Sequence, residues 1–235
     1  MMKKGVLQYN CCNTFFNIHK TGVLMNSFET DLKRAVISWR FAAGILIQLT
    51  ILLTVGMDDK LFYISVPIVC TFPYTTAWLS DYQGGYIKFY IIRSGVKSYI
   101  FGKISACGIS GGLLEVTACK LYFIMADKEK IQNISCDYRL IFISGVLWAV
   151  FAAALAAISN SSYVAYGGSF IIYYMLVILH DRYFEEMYCL YPYEWIKCEH
   201  TWILGKDGII FMLSGIIGII IFVYYDTLRR RMENV

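Results

Sequence analysis

The sequence predicts an all-α integral membrane protein with six transmembrane helices, and three observations predict it. The chain of 235 residues is 58% hydrophobic and only 16% charged, whereas soluble domains carry about a quarter charged residues. The charges are not spread evenly; they cluster between long apolar stretches. No Asp, Glu, Lys or Arg occurs across the 40 residues from 140 to 179, which is long enough for two crossings of roughly 20 residues each. Backbone groups in lipid must bond within their own segment, so these stretches are read as helices. A barrel would instead show segments of about ten residues with alternating hydrophobicity.

The spans follow in order. The first, 36–56, has no charge after Arg40, and Gln48 is the polar residue near its middle. The second, 61–80, has no charge at all and contains Pro67 and Pro73. The third, 104–125, is interrupted by Glu115 and Lys120. The polar run Ser159-Asn160-Ser161-Ser162 divides the charge-free stretch into a fourth span at 140–158 and a fifth at 163–179. The sixth is 208–225. Residues 1–24 are expected to form an N-terminal extension ahead of a single domain, 25–235. Gln8, Asn10, Asn13 and Asn17 break up any apolar run there, so a cleavable signal peptide is not expected.

Lys and Arg set the orientation. With the N-terminus in the cytoplasm, thirteen of the 21 basic residues fall on the inner side and eight on the outer. The outer loops also hold most of the acids, among them Asp58, Asp59, Glu185, Glu186 and Glu194. Both termini are therefore expected in the cytoplasm, with the chain in the plasma membrane of a bacterial cell. The modest net charge of +4 gives no reason to expect nucleic acid as a partner.

Three pieces do not span. Residues 26–34 read as a short interfacial helix, capped by Ser27 or Asn26, with Phe28, Leu32 and Ala35 on one face. The inner segment 81–103 is basic and aromatic. The outer segment 180–207 is amphipathic, with Pro192 and Trp195 at its centre. There is no internal repeat and no low-complexity tract.

Several strings bear on chemistry. Gly95-Val96-Lys97-Ser98, Gly102-Lys103-Ile104 and Gly205-Lys206-Asp207 all lack the phosphate-binding pattern G-x-x-x-x-G-K-[ST], so this chain is not expected to hydrolyse ATP. Gly108-Ile109-Ser110-Gly111 matches the G-x-S-G string of rhomboid intramembrane proteases. That chemistry needs a histidine from a neighbouring span, and His19, His180 and His200 all lie outside the spans. The preferred reading is a small-residue packing face at Gly108, Gly111 and Gly112. Glu185-Glu186 resembles the paired glutamates of CAAX-type membrane proteases but lacks the arginine three residues on, and reads as a solvated acidic edge. His180, Glu199 and His200 lack metal-ligand spacing, and no metal is expected. The eight cysteines form no CxxC pair; Cys189 and Cys198 are read equally as an outer disulfide or as free thiols. A carboxylate inside a span costs about 2.5–3.5 kcal/mol on insertion scales. Glu115 is therefore read either as a structural polar contact or, together with Gln48, as part of a pathway.

In this layout the chain resembles the permease subunits of type-2 ABC exporters. The resemblance covers Met25 to the C-terminus. It rests on six spans with both ends inside, and on an interfacial helix running into Trp39-Arg40-Phe41. It rests also on the tight turn at Asn160 and on Pro192 and Trp195 ahead of the last span. The most specific local match is Asp81-Tyr82-Gln83-Gly84-Gly85-Tyr86-Ile87-Lys88-Phe89-Tyr90. The resemblance implies a cytoplasmic coupling helix between spans two and three. Asp81, Tyr82, Gly85, Lys88, Phe89, Arg93 and Lys97 would engage a separate soluble ABC ATPase, which would hold ATP and Mg. It also implies a second permease chain as dimer partner and an outer gate, partly re-entrant, at Pro192 and Trp195. The competing expectations are an intramembrane protease of rhomboid or CAAX type and a membrane immunity or receptor protein with no transport cycle.

Overall fold

A computed structural model describes residues 27–87, 89–90, 95–126, 137–198, 200, 202 and 204–233. The expected extension 1–24, together with Lys88, Arg93, Lys128, Lys130 and Glu199, lies outside the described residues. Among the described residues all regular structure is helical. The long elements are α1 (Ser27–Val36), α2 (Trp39–Val55), α3 (Lys60–Val69), α4 (Ala77–Gln83) and α5 (Val96–Met125). They continue with α6 (Tyr138–Ser159), α7 (Ser162–Tyr183), the four-residue α8 (Glu194–Lys197) and α9 (Gly205–Glu233). Helices α5, α6, α7 and α9 are each long and apolar enough to cross a membrane, and the bent pair α1–α2 counts as a fifth candidate.

The bend between α1 and α2 is 47°, and one hydroxyl makes it. Ser38 Oγ donates to the Ala35 carbonyl at 2.8 Å and accepts from the Phe41 amide at 3.1 Å. It thereby closes the end of α1 and caps the start of α2.

The stretch 61–80, expected as one continuous helix, is divided. Helix α3 stops at Val69, residues 70–76 form successive turns, and α4 starts at Ala77. Ten residues of α helix reach only about 15 Å, roughly half a hydrocarbon core. Proline explains the break: Pro67 and Pro73 each lack the amide that an unbroken helix needs. The chain tightens instead, with Thr71 N bonded to Ile68 O at 3.3 Å and Phe72 N to Val69 O at 3.1 Å.

The central packing is between α5 and α6, and it depends on missing side chains. An added Cβ at Gly111 would collide with Ala149 and stand 3.1 Å from the carbonyls of both Cys70 and Gly145. At Gly112 it would stand 2.8 Å from Phe142, and at Gly145 3.0 Å from the Gly111 carbonyl. Helix α6 is the most enclosed, burying Leu140, Ile141, Leu147, Trp148, Val150 and a run of alanines. It turns into α7 through Asn160, whose left-handed backbone (φ 56°) sends its amide back to Ala156 O at 2.9 Å. Helices α7 and α9 lie outermost and leave Tyr163, Ile171, Phe211, Ile219 and Phe222 exposed. Apolar side chains on that face suit contact with lipid or with another apolar surface.

Substituting Gly111 by Leu should lower stability in detergent by about 1–3 kcal/mol or prevent folding, because the neighbouring atoms are backbone and cannot rotate away. Gly218→Ala meets no atom within 4 Å and should be neutral or slightly stabilising. Thermal unfolding of the two variants side by side checks both.

Candidate functional site

Three charged residues from separate elements meet at one place, the N-terminal end of α5. Lys103 sits on the second turn of that helix with its side chain 2% exposed. Its Nζ lies 3.1 Å from Asp31 Oδ1, 2.7 Å from Asp81 Oδ2 and 2.9 Å from the Tyr74 hydroxyl. An ammonium has three protons to donate, and three oxygens surround this one. Tyr74 donates its own proton to Asp31 Oδ1 at 2.6 Å, and the Tyr99 hydroxyl donates to Asp81 Oδ2 at 3.0 Å. The rings of Tyr74 and Tyr99 also face the ammonium, at 4.9 and 5.4 Å from their centroids.

The elements carrying these groups are distant in sequence. Asp31 comes from α1, Tyr74 from the turns after α3, Asp81 from α4, and Tyr99 and Lys103 from α5. Gly102 permits the approach of α1: a Cβ there would stand 3.0 Å from Asp31 Oδ2 and 3.2 Å from Ser27 Oγ. The face of α1 that is buried carries Ser27, Asp31 and Ala35, four residues apart. The apolar face expected from Phe28, Leu32 and Ala35 is thus rotated so that Asp31 points inward. Helix α9 reinforces the same end. Arg231 Nη2 donates to Ile158 O, at the C-terminus of α6, at 2.9 Å, and its guanidinium stands 5.7 Å from the Trp78 ring of α4.

Of the residues singled out for coupling, Asp81 therefore belongs to a buried ionic joint, its side chain 16% exposed. Tyr82 is half-buried and stacks on Trp78 at 5.1 Å. Gly85 takes a positive φ of 71° in the turn after α4, a conformation natural to glycine. Phe89 and Lys97 are exposed. Asp31, Tyr74, Tyr99 and Lys103 were not singled out. The available signal was an ionisable residue at the very start of an apolar run, Lys103, with acids and phenols on the flanking segments.

The pathway candidates are fully enclosed. Glu115 is 0% exposed, neither carboxyl oxygen has a hydrogen-bond partner, and its Cγ lies against Gly145. Gln48, also fully buried, accepts from Ser65 Oγ at 3.0 Å and leaves its amide nitrogen without a partner. The Ser144 hydroxyl is buried and unpartnered as well. Such side chains inside a helix bundle are costly in lipid. Ser110 is fully buried and donates to Cys107 O, one turn back, at 3.0 Å.

At the opposite end of the bundle the segment carrying Pro192 and Trp195 folds back onto α6. Trp195 is 5% exposed, donates from Nε1 to Cys189 O at 3.0 Å and stacks on Trp148 at 6.0 Å. Pro192 is buried beside it, and Tyr193 packs on Tyr63 at 4.2 Å. The Glu194 carboxylate accepts from the amide and the Nδ1 of His200, at 3.2 and 2.8 Å. Cys189 and Cys198 are both free thiols, and burial pushes the Cys198 thiol pKa up, with Glu194 adding to the shift. Glu185 and Glu186 are exposed. Among the described residues no group of three His, Cys, Asp or Glu is placed to hold a metal ion. Asp137 caps α6 through the Arg139 amide and faces Lys206 of α9 at 3.5 Å. Burial alone would raise the Asp137 pKa. The Arg139 amide and the charges of Arg139 and Lys206 outweigh burial and hold it below the usual carboxylate value.

Replacing Lys103 by Met leaves two buried carboxylates facing each other and should cost about 3–5 kcal/mol, the range for breaking a buried ion pair. Adding Asp31→Asn and Asp81→Asn to that variant should recover much of the loss, because no uncompensated charge remains. Denaturant or thermal unfolding of the single and triple variants in detergent decides it.

The chain matches no protein-family model, and no curated protein or solved structure is significantly similar to it. Its functional reading therefore rests on its own residues.

Proposed function

We propose that this chain is the permease subunit of a type-2 ABC exporter, a six-crossing membrane protein with both termini in the cytoplasm. Two copies, or this chain and a related one, would form the translocation pathway. A separate soluble ATPase would hold ATP and Mg and supply the energy. In this reading α2, α5, α6, α7 and α9 are five of the crossings. The broken path through α3, the turns and α4 is the other, and α1 lies along the inner membrane surface.

One observation carries the reading. Phe89 and Lys97, both exposed, lie between two members of the same buried joint. Asp81 precedes them in α4 and Lys103 follows them in α5, and these two are ion-paired at 2.7 Å. A partner pressing on Phe89 and Lys97 moves α4, the foot of α5 and, through Asp31, α1 as one piece. Helix α5 is in turn keyed into α6 at Gly111 and Gly145. Transport then needs two states with different contacts, one favoured by the ATP-bound partner. Glu115 and Gln48 become pathway residues in the state where the helices around them part. Pro192 and Trp195, seated on α6, close the outer end in the present state. The exposed apolar faces of α7 and α9 suit lipid and the second permease chain.

The test is affinity purification in detergent with identification of the chains that follow. A soluble ATPase with a phosphate-binding loop is the expected companion, and its consistent absence argues against the reading. In the reconstituted complex, Phe89→Ala with Lys97→Glu should lower substrate-stimulated ATPase by about five-fold, the lower end of typical coupling energies. Both side chains are exposed, so permease stability should be unchanged. Normal stimulation in this double variant removes them from the coupling path.

A further inference from the structure

The bend between α1 and α2 encloses a cleft of about 390 Å³ beside the ionic joint, and its chemistry is that of an anion site. Arg34, Arg40 and Lys103 line it, with Asp81 the acid in its wall. Lys103 is already ion-paired to Asp31 and Asp81 and bonded to Tyr74. Arg40 donates one N–H, from Nη1 to Thr76 Oγ1 at 3.3 Å, which holds the side chain at the cleft wall. Among the described residues Arg34 forms no ion pair or hydrogen bond. Both guanidiniums are exposed and keep most of their five donors.

The charges leave room for one anion. Asp31 and Asp81 outnumber Lys103 in the joint, and Arg34 and Arg40 more than balance the difference, so the cluster carries one net positive charge. A phosphodiester brings one negative charge and the planar oxygen pair that guanidinium recognises. The rest of the lining mixes Ser38, Ser80 and Tyr74 with an apolar side. Pro73 and Ala77 line it with Trp39, which is 80% exposed, and Ile37 beside Trp39 is 81% exposed. A soluble anion has no use for two large exposed apolar side chains at the rim, whereas a phospholipid presents its glycerol and first methylenes there. Tryptophan at such a bend also suits the interfacial layer of a membrane.

We infer that this cleft binds the phosphodiester headgroup of an anionic phospholipid, with Arg34 and Arg40 as its ligands and Trp39 against the glycerol and upper acyl chain. The lipid would sit where α1 meets α2 and would steady the bend that Ser38 makes. The inference needs only that the bend lie at a membrane surface, so it stands or falls separately from any ATPase partner.

Native mass spectrometry of the detergent-solubilised full chain, titrated with phosphatidylglycerol and with phosphatidylcholine, tests it. The wild type should retain phosphatidylglycerol in preference. Arg34→Gln with Arg40→Gln should reduce that preference by roughly ten-fold or more, as expected for two basic residues at an anionic surface. Lys33→Gln with Arg229→Gln removes the same charge elsewhere and should preserve it. Ala77→Leu narrows the cleft with every charge kept and should also abolish the preference, so the test survives if the arginine variant fails to fold. Preference retained in the arginine variant or in Ala77→Leu, or lost equally in the Lys33 and Arg229 control, overturns the inference. Displacement of phosphatidylglycerol by millimolar inorganic phosphate assigns the cleft to free phosphate and overturns the lipid.

Discussion

The arrangement depends on one ammonium group placed between two carboxylates where water is scarce. Lys103 is the ion-pair partner of both Asp31 and Asp81, and their segments also place Ala35, Trp78 and Leu79 in the same apolar cluster as Tyr99 and Ile100 of α5. Without the lysine, α1 would have an aspartate pressed against Gly102 with no counter-charge, and α4 would have one turned inward at the edge of the bundle. The position of both segments thus rests on the charge of a residue on the second turn of α5 together with the apolar contacts around it. Two tyrosines complete the shell, which matters because a buried ion pair stabilises only when its remaining polar atoms are satisfied. Asp31 Oδ2 remains without a hydrogen bond, so the joint is strongly constrained but not fully saturated.

The rest of the bundle divides around that constraint. Helices α5 and α6 form its rigid axis, since glycine at the contact lets backbone meet backbone and such packing has few alternatives. Helices α7 and α9 wrap the outside, and α9 is fastened at both ends, by Arg231 near the joint and by Lys206 with Asp137 at the other end. The opposite end is closed by stacked aromatics centred on Trp148 and Trp195. One end is therefore centred on a buried ion pair and the other on stacked rings with ion pairs around them.

Much of the helical layout was legible in the sequence. The charge-free stretch with a polar run at its middle reads directly as α6, Asn160 and α7, because lipid tolerates only helices there and Asn accepts a left-handed turn. Glu115 and Gln48 were legible as oddities for the same reason, a polar group among apolar ones. The break after α3 was not, although Pro67 and Pro73 were in view, because apolar composition is blind to a missing amide. The joint was the least legible feature. Lys103 counts as one more basic residue when topology is read from charge, and Asp31 looks like the polar side of an amphipathic helix. Only tertiary packing reveals that the hydrophobic face of α1 is rotated and that Asp81 turns inward toward α5.

Hydrogen exchange on the protein in lipid nanodiscs tests the central claim most directly. If Lys103 clamps α1 and α4 to α5, amides in Ser27–Val36 and Ala77–Gln83 are protected together in the wild type. In Lys103→Met both segments should lose protection in step, while α6 and α7 keep theirs. Free exchange of α1 in the wild type, or unchanged protection of both segments in the variant, would contradict the account.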